Sequence, residues 1–199
     1  MQDPRRFWNW FAGARPRLER FSHSRDDALL DELQAELQTY SQGLWFEMGG
    51  HPDGPLELVI SAEGDPDYFE DVRHLVAAAP ETPGWCFVAF KPPQGFEFRT
   101  EYEGVIVDPS ECWFLPLESK SNPASLGLRV AVPGLTAERT QAYRAAVHIV
   151  LDTGLGELVA AEAVHHLEVV APPDSQERDG YIELRELGKY IMWREQREA

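Results

Sequence analysis

The sequence predicts an α+β fold, in which helices pack on a mixed or antiparallel sheet. Apolar and polar residues alternate in several short runs, which is typical of strands with one buried face. Other segments carry apolar residues at helical spacing between capping residues and a glycine or proline. Runs of strands do not alternate regularly with helices, so a doubly wound parallel sheet fits less well.

The predicted elements follow one another in a recurring order. After two N-terminal helices, strand–strand–helix–strand occurs over residues 44–90 and again over residues 112–170. Each stretch is expected to form a half-sheet with a helix on one face, which gives two ββαβ units. Only the order of elements recurs, because the residues themselves show no repeat. We therefore expect one α+β domain over residues 1–199, with these two stretches as a pseudo-repeat.

Helix signals are clearest in the first half of the chain. Phe7, Trp8 and Phe11 fall on one face of an N-terminal helix. A second helix is predicted over residues 25–40, where acidic residues in the first turn suit the helix dipole. Asp65 is the predicted N-cap of a third helix, with proline at its first position.

The second half continues with a long helix and a C-terminal one. Thr136 is the predicted cap of the long helix, and Gly154 is its predicted end. The C-terminal helix carries three apolar residues at helical spacing: Leu184, Leu187 and Ile191.

Two runs predict particular strands. Residues 85–90 are apolar throughout, which indicates a central strand covered on both faces, with Cys86 buried and unreactive. Residues 96–103 alternate between aromatic and charged side chains and predict one continuous strand. In that strand Glu101 and Glu103 would share a face, where they are better explained as keeping an edge soluble than as a catalytic pair.

Composition limits the possible functions. The net charge is −16, from 18 basic and 34 acidic side chains, which disfavours binding to nucleic acid and to anionic membranes. No stretch approaches the roughly 18 apolar residues of a membrane helix, and the N-terminus lacks the apolar core of a signal peptide. With only two cysteines, the chain suits a reducing compartment. The expected location is the cytoplasm.

The charge is distributed unevenly. Residues 1–25 hold six arginines against two acidic residues, so they carry +4 and the remainder carries −20. Residues 26–71 contain thirteen aspartates and glutamates but no lysine or arginine. This stretch is the predicted binding surface for a basic partner protein. We call its candidate residues the predicted acidic surface: Asp26, Asp27, Asp31, Glu63, Asp67, Glu70 and Asp71.

Motifs of known chemistry are missing from the sequence. The acidic run that begins at Glu63 does not have EF-hand spacing, and the histidines and cysteines do not have zinc spacing. There is no nucleophile elbow and no glycine-rich phosphate loop. We therefore predict no catalytic residue, metal ligand or cofactor.

The N-terminal aromatic cluster, residues 7–11, has three readings. With Arg5 and Arg6 before it, the helix could lie on a membrane or bind a partner. We favour packing of the aromatic rings on the sheet, with the arginines paired to acidic residues, because an exposed aromatic cluster promotes aggregation.

Several motifs resemble those of a group of uncharacterised bacterial proteins with an FWxWF sequence near the N-terminus. They are residues 7–11, the Leu-Val-Ile-Ser-Ala-Glu-Gly run at 58–64, the Ala-Ala-Ala-Pro run at 77–80, and Ala-Phe-Lys-Pro-Pro at 89–93. Leu155-Gly156-Glu157 and the stretch 182–187 look similar as well. The resemblance implies a bacterial cytoplasmic protein. It implies no activity and transfers no functional residue.

Two functions follow as hypotheses. The first is a non-catalytic protein-binding module, regulatory or immunity-like, that acts through its acidic surface. The alternative is a hydrolase with an unfamiliar carboxylate or divalent-metal site, which would gather Glu47, Glu63 or Glu101 with a histidine. A homodimer, formed through the N-terminal helix, is compatible with either.

Overall fold

The computed structural model describes residues 2–20, 27–50, 53–118, 122, 125–175 and 179–198. Helices and three small sheets make up the chain, so the predicted α+β class is confirmed. Packing divides it into two compact units, Met1–Lys91 and Pro92–Ala199, here called unit 1 and unit 2. The single domain expected from sequence stays a prediction. In the described ranges, no helix is long and apolar enough to cross a membrane.

The described residues of unit 1 form a three-stranded sheet and three helices. Its elements are α1 (Pro4–Leu18), α2 (Asp27–Tyr40), β1 (Trp45–Gly50), β2 (Leu56–Ser61), α3 (Phe69–Ala77) and β3 (Trp85–Ala89). The strand order is β1-β2-β3, with β1 antiparallel to β2 and β2 parallel to β3. A short 3₁₀ turn, Pro66–Tyr68, precedes α3, and the Asp65 carboxylate caps it by accepting a hydrogen bond from the Asp67 amide at 3.1 Å.

Helix α1 packs its aromatic face on β3. Phe7 and Phe11 are each 1% exposed. The Phe11 ring meets Trp85 edge-on at 5.0 Å, and the Trp8 ring lies 4.5 Å from Phe87. The Trp8 indole also donates a hydrogen bond to the Leu75 carbonyl of α3 at 2.9 Å. The predicted packing of these rings on the sheet is confirmed.

Strand β3 lies at an edge of the sheet, so the prediction of a central strand is wrong. Alternate side chains of a strand point to opposite faces, and α1 covers the face of Trp85 and Phe87. Cys86 takes the other face and is exposed, which corrects the expectation that it is buried. The apolar run reflects packing against α1 on one side, while β2 is the strand with neighbours on both sides.

Phe90, directly after β3, breaks the alternation. Its backbone is left-handed, with φ of 67°, and its amide donates to the Ile60 carbonyl at 2.8 Å. The reversed backbone brings the ring against Phe69 of α3, at 4.9 Å between centroids, and leaves it only 6% exposed. A non-glycine residue in this conformation costs about 1–2 kcal/mol, which the buried ring contact offsets.

Unit 2 contains a hairpin, a four-stranded sheet and three helices. Its elements are β4 (Thr100–Tyr102), β5 (Val105–Val107), β6 (Trp113–Glu118), β7 (Leu126–Ala131), α4 (Thr140–Leu155), α5 (Glu157–Ala163), β8 (Val164–Val170), β9 (Ile182–Glu183) and α6 (Leu187–Glu198). The sheet order is β8-β7-β6-β9, with β7 parallel to β8 and the other pairs antiparallel. Leu187 and Ile191 of α6 are buried as predicted for the C-terminal helix, whereas Leu184, also buried, lies in the 3₁₀ turn Leu184–Glu186 just before it.

Three predictions in unit 2 need correction. Thr136 precedes a 3₁₀ turn, Ala137–Arg139, and its side chain makes no capping hydrogen bond there with a described residue; the long helix α4 begins only at Thr140. The strand expected over residues 96–103 is limited to β4, because Glu103 and Gly104 both have positive φ and form a two-residue hairpin loop to β5. The long helix α4 does not end at Gly154 but one residue later, before Gly156 with φ of 81°. Gly154 has a packing role, since an added Cβ would lie 2.3 Å from the Phe96 ring.

Candidate functional site

The carboxylates of α2 form two rows along the helix, each with i, i+4 spacing. Glu32 and Glu36 make up the inner row, which faces α1. The Arg17 guanidinium donates to Glu32 at 2.9 Å, and Arg6 lies 3.9 Å from Glu36. The Trp10 indole also donates to Glu32, at 3.2 Å. Part of the acidic stretch is therefore neutralised inside unit 1 by the arginines of the N-terminal helix.

Asp27 and Asp31 make up the outer row. Both are exposed, and neither has an ion pair with a residue in the described part of the chain. Asp26 lies outside the described residues. The outer row is the portion of the predicted acidic surface that projects from a regular helix.

The remaining residues of the predicted acidic surface cluster around the start of α3. Asp67 is exposed, while Asp71 is half-buried beside the Tyr40 hydroxyl, which donates to its carbonyl at 3.4 Å. Glu70 accepts from Arg73 at 2.8 Å and is otherwise open to solvent. Because Tyr40 ends α2, Asp27 lies about 20 Å away along the helix axis. The structure thus places the predicted residues in two separate patches.

Glu63 is the exception, because it is held by a lysine. Lys91 lies 2.8 Å from Glu63 and 3.9 Å from Glu47, and its side chain is only 15% exposed. Glu63 follows β2 and Lys91 follows β3, so parallel strands bring them to one edge of the sheet. Glu63 also has a left-handed backbone, with φ of 52°. Two of the three glutamates named for a hydrolase, Glu47 and Glu63, therefore meet at a lysine and, among the described residues, not at a histidine.

The described ranges contain no closely gathered metal-binding set of side chains: no three His, Cys, Asp or Glu side chains there gather closely enough to hold an ion.

Unit 2 contains a cavity of about 800 Å³, which sequence analysis did not predict. It lies between the segment before β4, the 3₁₀ turn Pro109–Glu111 and the 3₁₀ turn Leu184–Glu186. Backbone hydrogen bonds from Gln94 to Thr153 and from Gly95 to Gly154, at 2.9 and 3.2 Å, attach its first wall to α4. The other two walls are joined by the Leu184 amide, which donates to the Cys112 carbonyl at 2.9 Å.

Asp108 organises the polar side of this cavity. One carboxylate oxygen accepts from the Ser110 amide at 3.0 Å and from the Ser110 hydroxyl at 2.6 Å. The other accepts from the Arg99 Nε at 2.6 Å. The hydrogen bonds from Ser110 and then Arg99 lower the pKa of Asp108, so it stays ionised in neutral solution. The carboxylate therefore fixes the orientation of the arginine.

The sequence does contain a signal for the turn after Asp108, namely an Asp-Pro pair. Asp65-Pro66 is one of three Asp-Pro pairs that cap a helix or 3₁₀ turn; the others are Asp3-Pro4 and Asp108-Pro109. In each, the aspartate accepts from the amide two residues on. The pair marks the turn but not the cavity, because the cavity needs arginines from distant parts of the chain.

Comparisons with known proteins give no identity. No family model, no curated protein and no solved structure matches the chain.

Proposed function

We propose that the protein is a non-catalytic binding module, regulatory or immunity-like, that uses the acidic surface of unit 1 to bind a basic partner protein in a bacterial cytoplasm. One observation carries the proposal: the outer row of α2, Asp27 and Asp31, is exposed and unpaired within the described chain, while the inner row is used by α1. The fold thus leaves one row of charge available to a partner.

Charge of this kind acts mainly on the rate of encounter. Exposed carboxylates on one face steer an oppositely charged partner and can raise association rates by about ten- to a thousandfold. The inner row keeps α2 in place through Arg17 and Arg6, so the outer row is presented on a supported helix. The patch at Asp67 and Glu70 extends the same sign of field over a second part of unit 1.

The test compares two variants with the same net charge. D27N/D31N removes the outer row, and the control E101Q/E195Q removes two exposed carboxylates from unit 2. Partners are captured from native lysate at low and high salt, identified by mass spectrometry, and measured again as purified proteins by stopped flow. We expect a basic partner whose association rate falls with salt and is lowered about tenfold in D27N/D31N but not in the control.

Recovery of no salt-sensitive basic partner would contradict the proposal, and so would equal association rates for the two variants. The alternative, a hydrolase with a carboxylate or divalent-metal site, has weaker support because Glu47 and Glu63 are held by Lys91. A rise in melting temperature with Mg²⁺, Mn²⁺ or Ca²⁺ would favour its metal version. A homodimer fits both functions, and light scattering tests it directly.

A further inference from the structure

We propose that the cavity of unit 2 binds a free α-amino acid with an apolar side chain. This inference concerns unit 2 alone and does not depend on the function proposed for unit 1. It rests on the shape of the cavity, on one oriented arginine and on one unpaired glutamate.

The cavity has the size of a small-molecule site and one apolar wall. Its volume of about 800 Å³ lies within the roughly 300–1,000 Å³ of typical ligand pockets. Phe96 and Phe98 give it an apolar wall, and Phe96 is fixed against α4 because Gly154 leaves room for its ring. An apolar side chain of a ligand can therefore pack against these rings and be removed from contact with water.

Arg99 supplies an oriented donor group for a carboxylate. The Arg99 side chain is 74% exposed, but its Nε donates to Asp108, which is anchored by Ser110 and 14% exposed. A guanidinium has five N–H donors, so fixing the Nε edge leaves Nη donors for a second acceptor. A planar donor pair in a defined orientation suits the two oxygens of a carboxylate.

Glu97 supplies the opposite charge beside it. The other charged groups of the lining are already paired: Arg185 donates to Glu183 at 2.7 Å, and Glu186 accepts from Lys189 at 2.7 Å. Glu97 is exposed and has no ion pair with any described residue. The Glu97 Cα lies within about 7 Å of the Arg99 Cα, because two steps along a fully extended chain span at most about this distance.

The remaining donors of Arg99 and the carboxylate of Glu97 together select the ligand. A simple carboxylate would satisfy Arg99 but meet the negative charge of Glu97, and a simple amine would do the reverse. A zwitterion satisfies both at once, with its carboxylate at Arg99, its ammonium at Glu97 and its side chain on the phenylalanines. The free α-amino acid carries these three features on one carbon atom.

The test titrates the full-length protein with three related compounds and follows binding by calorimetry and by NMR shifts of unit 2 amides. L-phenylalanine carries both charges, N-acetyl-L-phenylalanine only the carboxylate, and L-phenylalanine amide only the ammonium. We expect L-phenylalanine to bind at least about tenfold more tightly than either, since each loses one charged hydrogen-bonding group.

Variants assign the two contacts. R99Q should weaken L-phenylalanine about tenfold without weakening the amide, whereas E97Q should weaken L-phenylalanine without weakening the N-acetyl compound, because each variant removes a charge that repels the compound it spares. R129Q is the matched control, because Arg129 is also paired to a carboxylate in unit 2, Glu168 at 2.7 Å, but does not line the cavity. Circular dichroism checks that all three variants fold.

Three results would each overturn the proposal: no binding of L-phenylalanine, binding of the N-acetyl compound or the amide as tight as that of L-phenylalanine, or equal losses in R99Q and R129Q. If R99Q does not fold, R99K replaces it, since lysine keeps the positive charge but lacks the planar pair of donors, and an unchanged affinity in R99K and E97Q together would count against the site.

Discussion

The two units share one arrangement of strands and a crossover helix but differ in the elements that are added to it. In each, an antiparallel strand pair is followed by a helical crossover to a parallel third strand, as in β1-β2-α3-β3 and β6-β7-α4-α5-β8. Unit 1 adds two helices before the strands. Unit 2 adds a hairpin before them and a strand and a helix after them. The two units therefore share a strand order, although different segments bury the strands in each.

This difference changes where each unit is vulnerable. In unit 1 the crossover helix has only nine residues, so the aromatic residues of α1 supply much of the cover for β3. In unit 2 the crossover includes the sixteen-residue α4, whose Val147 and Val150 are fully buried. We expect unit 1 to depend on its N-terminal helix more than unit 2 depends on α6.

The largest effect is expected from F11A in α1. Phe11 is 1% exposed and contacts the rings of Trp8, Trp85 and Phe87. Its removal leaves a cavity, so the free energy of unfolding should fall by about 3–5 kcal/mol in urea titrations. NMR should show the loss first in unit 1 amides.

The control for F11A is W193A, which removes a larger ring from α6. Trp193 is 49% exposed and contacts Tyr190 and Arg197 on the surface. We expect a loss below about 1 kcal/mol there. Similar losses in the two variants would contradict the unequal dependence on the terminal helices.

An intermediate effect is expected where each unit places a glycine under an aromatic ring. An added Cβ at Gly154 would lie 2.3 Å from the Phe96 ring, and one at Gly43 would lie 2.2 Å from the Tyr68 ring. Phe96 is only 8% exposed, so G154A should lower the free energy of unfolding by about 1–3 kcal/mol. Tyr68 is half-buried and has space to move, so G43A should cost less. Calorimetric melting of both variants measures this, and a larger loss in G43A would reverse the comparison.

The smallest effect, compared over a single pH unit, is expected in alkaline solution. Burial, and then the charges of Asp108 and Glu111, raise the pKa of Cys112 from an ordinary 9.0 to about 12. Burial, and then the charge of Asp71, raise the pKa of Tyr40 from 10.0 to about 12. As pH rises past the ordinary value, the unfolded chain loses the proton first, so each group's contribution to stability falls until the folded pKa is reached.

Unit 2 should therefore weaken from about pH 9 and unit 1 from about pH 10, each by at most about 1.4 kcal/mol for each pH unit. Urea titrations at a series of pH values from 9.0 to about 12 measure the slope. C112A should flatten the first phase and Y40F the second. An unchanged slope in C112A would show that the thiol is not the group responsible.

Local signals in the sequence accounted for much of the fold. Helical spacing placed the buried residues of α1 and α2, and Asp65-Pro66 placed the start of the turn before α3. The edge position of β3 in its sheet could not be predicted in this way. In sequence, an apolar strand covered by aromatic rings on one face looks the same as a strand that is covered on both faces. The short β4 was missed because alternation does not show where a chain reverses, as it does at Glu103-Gly104.

The candidate sites show the same limit. The acidic stretch was evident from composition, but which carboxylates are paired depends on α1, and Arg17 meets Glu32 across fifteen residues. The cavity of unit 2 joins Arg99, Asp108 and Arg185, which no sequence spacing connects. Tertiary structure alone brings these groups together.

The reversed backbone at Phe90 has a consequence for sequence variation. Glycine at this position would relax the backbone but lose the ring between Phe69 and the guanidinium of Arg73, which lies 5.4 Å from the Phe90 centroid. Most other residues would keep the strain and lose the contact as well. Opposed demands of this kind are a form of local frustration. In a saturation library selected for folded protein, we expect position 90 to accept few residues besides aromatic ones, although it lies outside any regular element.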